Sequence, residues 1–283
     1  MADKIETLHG SLVQHGPVND RIYLMHLEAQ KTPHLIPALD RMAEENGYGK
    51  ILARIPDTHW KAFESAGYVA EAAVPGLYGG VIDGLFIAKF FSAKRQKAGQ
   101  PLGSDKAPPV SSAAIRLQRT AFPVDTCSPT DAEPLSALYR RVFESYAFPI
   151  RQPEYLGRAM VDHTIYFCIR VEGEIVSAAG AEIDFENLNC EMTDFASLPR
   201  FRGRGMAHCL LHRLDAEAER RGLKTAYTIA RADSPSMNRV FRKNGYQYAG
   251  QLVRNTQIGG RIRSMKVWYK QLPAGNGSMD EEF

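Results

Sequence analysis

The chain has 283 residues, enough for two compact domains, and its 44% hydrophobic and 24% charged residues are typical of a globular protein. Its formal net charge of +3 is too small to indicate nucleic-acid binding, and the longest apolar stretch, 72–91, is broken by proline, glycine and Asp83, so we expect no membrane span. Four scattered cysteines without metal spacing, and an N-terminus without a signal-peptide pattern, predict a cytoplasmic protein that binds no metal.

The first third of the chain shows apolar periods that alternate between strand and helix spacing. The segment 92–114 that follows has almost no large apolar residue and is rich in lysine, glycine, proline and serine, which indicates a linker. We therefore predict domains at 1–91 and 115–272, with a flexible tail at 273–283. The elements predicted for the first domain are strands at 20–27, 50–55, 69–74 and 85–91 and helices at 33–45 and 58–65.

The sequence of the second domain predicts a longer series of strands and helices. Ser128 or Asp131 can cap its first helix, and Gly222 and Gly245 stand where two later helices end. The predicted strands lie near 115–120, 164–171, 175–184, 189–198, 225–230, 246–254 and 263–269. The predicted helices lie near 130–144, 153–161, 206–221 and 235–244.

The two domains show an internal repeat. The strand at Lys50 matches the one at Thr225, Gly67-Tyr68 matches Gly245-Tyr246, and the closing strands match as well, at offsets of 175, 178 and 179. We hypothesise one folding unit used twice; a coincidence of common strand–helix alternation is the other explanation. Residues 28–32 of the first copy lack the glycines and arginines found in the second.

Those glycines and arginines lie in 200–205, RFRGRG, between a predicted strand and a predicted helix. Glycine lets the backbone approach a phosphate closely, and the N–H groups and dipole of a helix N-terminus favour an anion. An ordinary turn with solvated arginines is the alternative. A Walker loop would need Lys-Ser/Thr where Met206-Ala207 stands, and a dinucleotide fingerprint would need a third glycine.

The loop resembles motif A of the GNAT N-acetyltransferases, Q/R-x-x-G-x-G/A, in which Arg200, Gly203 and Gly205 occupy the fixed positions. The predicted element order and Gly245-Tyr246, which matches motif B, extend the resemblance. It implies an α/β (α+β) GNAT fold with a mixed central sheet, preceded by a degenerate half-GNAT domain that binds no coenzyme A. It also implies acetyl-CoA as cosubstrate. The residues implied to hold it are Arg202, Gly203, Arg204, Gly205, Met206 and Ala207 at the pyrophosphate, and Ala196, Ser197, Leu198 and Asn238 at the pantetheine.

Within the GNATs, stretches over nearly the whole chain resemble the β-lysine N6-acetyltransferases, which make the osmolyte Nε-acetyl-β-lysine. They include 10–27, 47–56, 146–150, 191–199 and 267–270. The resemblance implies β-lysine as a small-molecule partner, with no nucleic acid or membrane; oligomeric state is not readable. Arg263 and Lys266 depart from the family pattern, so another amine or amino acid stays open as acceptor. Phe241 stands where many GNATs have a tyrosine acid, so a non-catalytic acyl-CoA sensor is a further alternative.

The acetyl acceptor must lose a proton, and a carboxylate can receive it. Glu191 and Asp194 are the catalytic candidates; three apart in a strand they should point to opposite faces, and we favour Glu191. Either can instead be a structural strand carboxylate. Arg151 and Arg231 are candidates for holding the acceptor carboxylate, with Tyr146 beside them. Glu182 and Asp184 can receive the second ammonium. Tyr246 and Tyr248 are possible proton donors, although core packing explains them better.

Overall fold

The computed structural model describes residues 3–97 and 122–273. Within these ranges, 13 strands form one continuous sheet, and helices pack against it. The strands are β1 (Lys4–Leu8), β2 (Ser11–Gly16), β3 (Arg21–His26), β4 (Lys50–Pro56), β5 (Val69–Tyr78), β6 (Ile82–Phe90), β7 (Asp125–Thr126), β8 (Thr164–Val171), β9 (Glu174–Asp184), β10 (Asn189–Ser197), β11 (Thr225–Arg231), β12 (Gln247–Ile258) and β13 (Arg261–Gln271). The helices are α1 (Thr32–Asn46), α2 (Trp60–Ser65), α3 (Ala93–Gln96), α4 (Ala132–Val142), α5 (Pro153–Asp162), α6 (Met206–Arg220) and α7 (Pro235–Lys243).

The helices form where the apolar stripe and the capping residues predict them. In α1, Leu35, Leu39 and Ala43 lie at helical spacing and are fully buried, and the helix ends at Gly47, whose φ of 68° is left-handed. In the segment before α4, Ser128 and Asp131 form a capping box. The bounds of the predicted helices and strands therefore agree with the structure to within a few residues wherever the chain is described.

The sheet repeats one strand order on either side of its centre. The order is β1-β2-β3-β4-β6-β5-β12-β13-β11-β10-β9-β8-β7. The pairs β3/β4 and β10/β11 are parallel, and a helix (α1 or α6) connects the two strands of each. In both halves the next helix leads to an antiparallel hairpin, β5/β6 or β12/β13. The N-terminal half (β1–β6) is thus a GNAT-like half-fold without the glycine–arginine loop, and the predicted fold class is confirmed.

The halves join where β5 pairs with β12, at Ala72 and Gly250. A Cβ on Gly250 would lie 2.2 Å from the Glu71 carbonyl oxygen, and the residue has φ of 150°, so only glycine fits this seam. The division into separate domains stays a prediction, because the sheet runs through the seam without a break.

Three hydrophobic clusters hold the molecule together. One lies under α4–α7 in the C-terminal half (β7–β13), and one lies under α1 and α2 in the N-terminal half. The third lies on the inner side of the sheet and takes side chains from both halves, including Tyr23, Leu52, Phe86, Tyr227 and Val267. Arg54 on β4 donates a hydrogen bond to Tyr227 on β11 although four strands lie between them. The sheet is therefore strongly curved, with its two halves facing each other.

Two features of the N-terminal half differ from the prediction. Strands β1 and β2, counterparts of β8 and β9, were not expected, because the buried polar residues Gln14 and His15 conceal the strand pattern of β2. The start of the predicted linker, 92–97, is not an exposed connection: it forms α3, whose Arg95 is buried and donates to the Asn19 carbonyl at 3.0 Å and to Asp20 at 3.1 Å.

The predicted strand near 115–120, the rest of the linker and all but the first residue of the tail lie outside the described residues. Among the described helices, none combines the length and apolarity needed to cross a bilayer.

Candidate active site

A cleft opens where β10 and β11 separate. Their parallel pairing runs from Asn189 opposite Thr225 to Glu191 opposite Tyr227 and then stops. Beyond that point a cavity of about 600 Å³ lies between the strands, closed at one end by the start of α6. The separation of the strands leaves a strand edge free to pair with an extended ligand.

A bulge in β10 sets the direction of the two candidate carboxylates. The register with β9 shifts between Thr193 and Ala196, and Asp194 has φ of 58°, a left-handed conformation. The expectation that Glu191 and Asp194 point to opposite faces is therefore wrong, because an extra residue in the strand cancels the alternation. Both side chains line one cavity, of about 90 Å³, next to the cleft.

The loop before α6 has the geometry of an anion cradle. Gly203 and Gly205 have φ of 77° and 87°, and Gly205 is the N-cap of α6. The Gly205 carbonyl accepts the first helical hydrogen bonds, from His208 and Cys209, so the amides of Met206 and Ala207 have no intrahelical acceptor. The predicted cofactor residues that line the cleft are Ala196, Ser197, Arg202, Gly203, Gly205, Met206 and Ala207.

Three predicted cofactor residues lie outside that lining. Leu198 is buried in the core, and its N–H donates to the Val176 carbonyl at 2.9 Å, which leaves no donor for pantetheine. Arg204 is exposed and stacks over the Phe201 ring at 5.2 Å. Asn238 donates to the carbonyls of Arg231 and Ser234 and accepts from the Trp268 indole at 2.8 Å, so its side chain is used to join α7 to the sheet.

The smaller cavity, which we call the acceptor cavity, lies between the two halves of the chain. The N-terminal half contributes Arg21 and Tyr23 from β3 and Arg54 from β4, and the C-terminal half contributes a wall of acids and tyrosines. The acceptor cavity and the cleft share Tyr146, Thr193, Asp194, Ile229, Ile258 and Met265. The two cavities therefore meet beside the bulge of β10.

Two carboxyl groups of this cavity, Glu191 and Asp194, have raised pKa values. Burial raises the pKa of Glu191 to about 8, and the nearby Glu182 adds to the increase. Burial also raises the pKa of Asp194, to about 6, against hydrogen bonds from Tyr166 and Tyr146 that favour its charged form. The Tyr166 hydroxyl donates to Asp194 Oδ2 at 2.7 Å. Perturbed carboxyls in a cavity are typical of catalytic sites.

The predicted substrate residues are only partly brought together. Tyr146 lines both cavities. Arg231 lines the cleft and pairs with Asp233 at 2.9 Å, and Arg263 pairs with the same aspartate. Arg151 is exposed, lies outside both cavities and donates to the Glu144 carbonyl at 2.7 Å. Neither arginine expected to hold the acceptor carboxylate therefore reaches the acceptor cavity.

Sequence reasoning missed the arginines that do line it, Arg21 and Arg54. Arg21 begins the apolar strand run RIYLM, and Arg54 interrupts the run ILARI; a charged residue within such a strand is the signal that could have revealed them. Tyr246, which was expected to be a core residue rather than a proton donor, is buried, and its hydroxyl donates to Asp215 at 2.7 Å. Phe241 packs edge-on against Phe195 and Tyr246.

Comparison with known proteins agrees with this geometry. The family model described as Acetyltransferase (GNAT) family matches residues 132–246, which include the glycine–arginine loop and most of the residues that line the cleft. A relative matches nearly the whole chain at 34% identity. The chain belongs to the GNAT acetyltransferase family; it is an acetyltransferase, and its acetyl donor is acetyl-CoA.

That relative is the β-lysine N(6)-acetyltransferase of Methanococcus maripaludis, and the match covers 95% of this chain and 98% of the relative. N-acetyltransferase YodP of Bacillus subtilis is 28% identical over 93% of this chain and 96% of its own length. Among solved structures, the ribosomal-protein-S18-alanine N-acetyltransferase from Escherichia coli has a TM-score of 0.47 and 14% identity, covering 57% of this chain and 99% of that protein.

Proposed function

We propose that this acetyltransferase transfers the acetyl group of acetyl-CoA to the side-chain amine of β-lysine and forms N6-acetyl-β-lysine. Relatives from Methanococcus maripaludis and Methanosarcina mazei are β-lysine N(6)-acetyltransferases, and the first of them aligns over nearly the full length of this chain. The observation that carries the proposal is the acidic wall of the acceptor cavity, next to the opening into the cleft.

The acidic wall favours a cationic substrate. Glu191 on β10 lies directly opposite Glu182 on β9, and both line the cavity. Burial and the nearby Glu182 disfavour the ionised form of Glu191, and a bound ammonium group stabilises that form. A diamino acid brings two such groups, one to react and one to bind.

Glu191 is the proton acceptor in this proposal. An ordinary glutamate has a pKa near 4.3, about 6 units below a lysine-like amine. With a pKa of about 8, Glu191 narrows that gap to roughly 2 units, so a proton moves from the ammonium to the carboxylate at a smaller free-energy cost. Asp194 accepts hydrogen bonds from tyrosines, and we assign it to holding Tyr146 and Tyr166.

Tyr146 is the proton donor to the departing thiolate in this proposal. It lines both cavities, and burial raises the pKa of its hydroxyl, which keeps the proton at neutral pH. The position where many GNATs have their tyrosine is the core residue Phe241. Tyr146, from the loop between α4 and α5, thus reaches the reacting groups from another element. Its presence favours an enzyme over an acyl-CoA sensor.

The test is turnover by the purified full chain. We expect thiol release from acetyl-CoA in the presence of β-lysine, a product acetylated at N6 by NMR, and at least about tenfold lower kcat/KM for α-lysine, because the shifted amine misplaces the acceptor in the cavity. Acetyl-CoA binding by calorimetry without thiol release would favour the sensor. Efficient thiol release with another amine, and none with β-lysine, would overturn the substrate assignment alone.

A further inference from the structure

The two arginines in the wall of the acceptor cavity have only neutral hydrogen-bond partners. Arg21 donates to the Asn255 carbonyl at 2.8 Å and to Thr256 Oγ1 at 3.0 Å, and Arg54 donates to the Tyr227 hydroxyl and to the Met25 carbonyl at 3.0 Å. Within residues 3–97 and 122–273, neither guanidinium has a carboxylate oxygen within 4.0 Å, and the Nε of each is buried without a partner.

Other buried cations of the N-terminal half are paired. Lys50 lies 2.6 Å from Glu71, and Arg95 lies 3.1 Å from Asp20. Burying a charge is costly unless an opposite charge compensates it, so the fold supplies partners at these two positions. Arg21 and Arg54 differ from them in lining a cavity that a ligand can enter. The missing counter-charge at Arg21 and Arg54 therefore indicates an anionic ligand group.

Glu191, the carboxyl group of this cavity that interacts electrostatically with both arginines, does not fill that role at neutral pH. Its pKa of about 8 leaves it mostly protonated in the free protein. Burial lowers the pKa of Arg21 only to about 10, so that guanidinium keeps its charge. The acceptor cavity thus has a cationic wall on β3 and β4 and an acidic wall on β9 and β10, as a zwitterionic substrate requires.

We propose that Arg54, assisted by Arg21, binds the carboxylate of the acceptor amino acid. The N-terminal half, which lacks the glycine–arginine loop, then selects amino acids over amines that have no carboxylate. This inference rests on the proposed acetyl transfer to an amino acid. A guanidinium presents five N–H donors in a planar fork, and the hydrogen bonds from Arg54 to Tyr227 and Met25 engage two of them, which leaves donors for a carboxylate.

The test compares β-lysine with pentane-1,4-diamine, which is β-lysine without its carboxylate. We expect the wild-type protein to prefer β-lysine, and Arg54→Met to lower kcat/KM for β-lysine by about 10–100-fold while changing that for the diamine less than about threefold. Arg54→Lys should keep part of the preference, because the charge remains and the planar fork does not. Arg41→Met, at an exposed arginine of α1, is the matched control.

The remaining outcomes separate the two proposals. Equal losses with β-lysine and the diamine in Arg54→Met, or a wild-type protein indifferent to the carboxylate, would overturn the carboxylate assignment and leave the acetyltransferase intact. A wild-type protein that turns over neither substrate would overturn the proposed function, and the inference with it. Thermal melting and acetyl-CoA binding show whether Arg54→Met folds. If it does not, the ratio of kcat/KM for β-lysine to that for the diamine is measured in Arg54→Lys and Arg21→Met, and a ratio unchanged from wild type in both would overturn the carboxylate assignment.

Discussion

Glu191 and Asp194 lie three residues apart on one strand, yet their surroundings hold them at different proton affinities. Glu191 is buried opposite the like-charged Glu182, and its pKa rises to about 8. Asp194 is buried as well, but two tyrosines donate hydrogen bonds to its charged form, and its pKa rises only to about 6. The pH dependence of catalysis can therefore identify which carboxyl group accepts the proton.

We predict that kcat/KM for β-lysine rises with pH and levels off above a pKa near 8, because the base must be deprotonated to accept a proton. Glu191→Gln should lower kcat about 10²–10⁴-fold without changing the affinity for acetyl-CoA. Glu182→Gln should move the inflection to lower pH, since it removes the like charge that raises the pKa of Glu191. Thiol release measured across the neutral range gives these profiles.

The matched control for this experiment is Glu186→Gln, an exposed glutamate in the turn between β9 and β10, which should leave the profile unchanged. An inflection near pH 6 that Glu191→Gln does not remove would assign the base to Asp194 instead.

At the scale of elements, the cofactor site depends on how α6 begins. Its first amides have no intrahelical acceptor, and an added Cβ at Gly205 would meet no atom within 4 Å. Crowding therefore does not explain the glycine. Its left-handed φ does, and the approach of a phosphate to the backbone stays a prediction.

Gly205→Ala is predicted to weaken acetyl-CoA binding about tenfold or more and to cost about 1–2 kcal/mol of stability, because alanine is strained at a φ of 87°. The other end of the same helix supplies the control: Gly222 has φ of 73° and equally open surroundings, but it does not line the cleft. Calorimetry with acetyl-CoA and thermal melts should give Gly222→Ala the same loss of stability with unchanged affinity. Equal affinity losses in both variants would show that α6, and not the loop, was disturbed.

For the molecule as a whole, a buried ion pair of the N-terminal half makes hydrogen bonds across the seam to β12 of the other half. Lys50 on β4 is 0% exposed and contacts Glu71 on β5 at 2.6 Å and the Val253 carbonyl on β12 at 2.8 Å. Glu71 in turn accepts the Val253 N–H at 2.7 Å. These bonds hold an irregular part of β12, between Leu252 and Thr256, which carries Asn255 to the acceptor cavity.

Lys50→Met should destabilise the protein by about 3–5 kcal/mol, because Glu71 then remains buried without a counter-charge. The double change Lys50→Met with Glu71→Leu should recover part of the loss. Denaturant unfolding measures both.

The control for that prediction is a partly exposed ion pair of the same half. Lys89 and Asp40 lie 2.7 Å apart, and each side chain is about one-quarter exposed, so Lys89→Met should cost no more than about 1 kcal/mol. If Lys50→Met also cost no more than about 1 kcal/mol, the stabilising role assigned to the Lys50–Glu71 pair at the seam would be contradicted.

Local sequence patterns determined most of the fold and the loop predicted to bind the cofactor. Apolar periodicity, together with glycines such as Gly47 and Gly222 at helix ends, placed the helices and strands, since these signals act within a few residues. The internal repeat, in which the strand at Lys50 matches the strand at Thr225, was visible because corresponding elements follow in the same order in both halves. The loop around Gly203 and Gly205 was recognisable because the chemistry of an anion cradle resides in consecutive residues.

Only the tertiary structure decided which residues form the acceptor cavity. The bulge that turns Asp194 toward Glu191 breaks the alternation that strand reasoning assumes. Arg54 reaches Tyr227 only because the sheet curves until strands far apart in its order face each other. Arg21 and Arg54 make hydrogen bonds to residues more than a hundred positions away in the chain, and no local pattern in the sequence records such contacts or the burial that raises the pKa of Glu191.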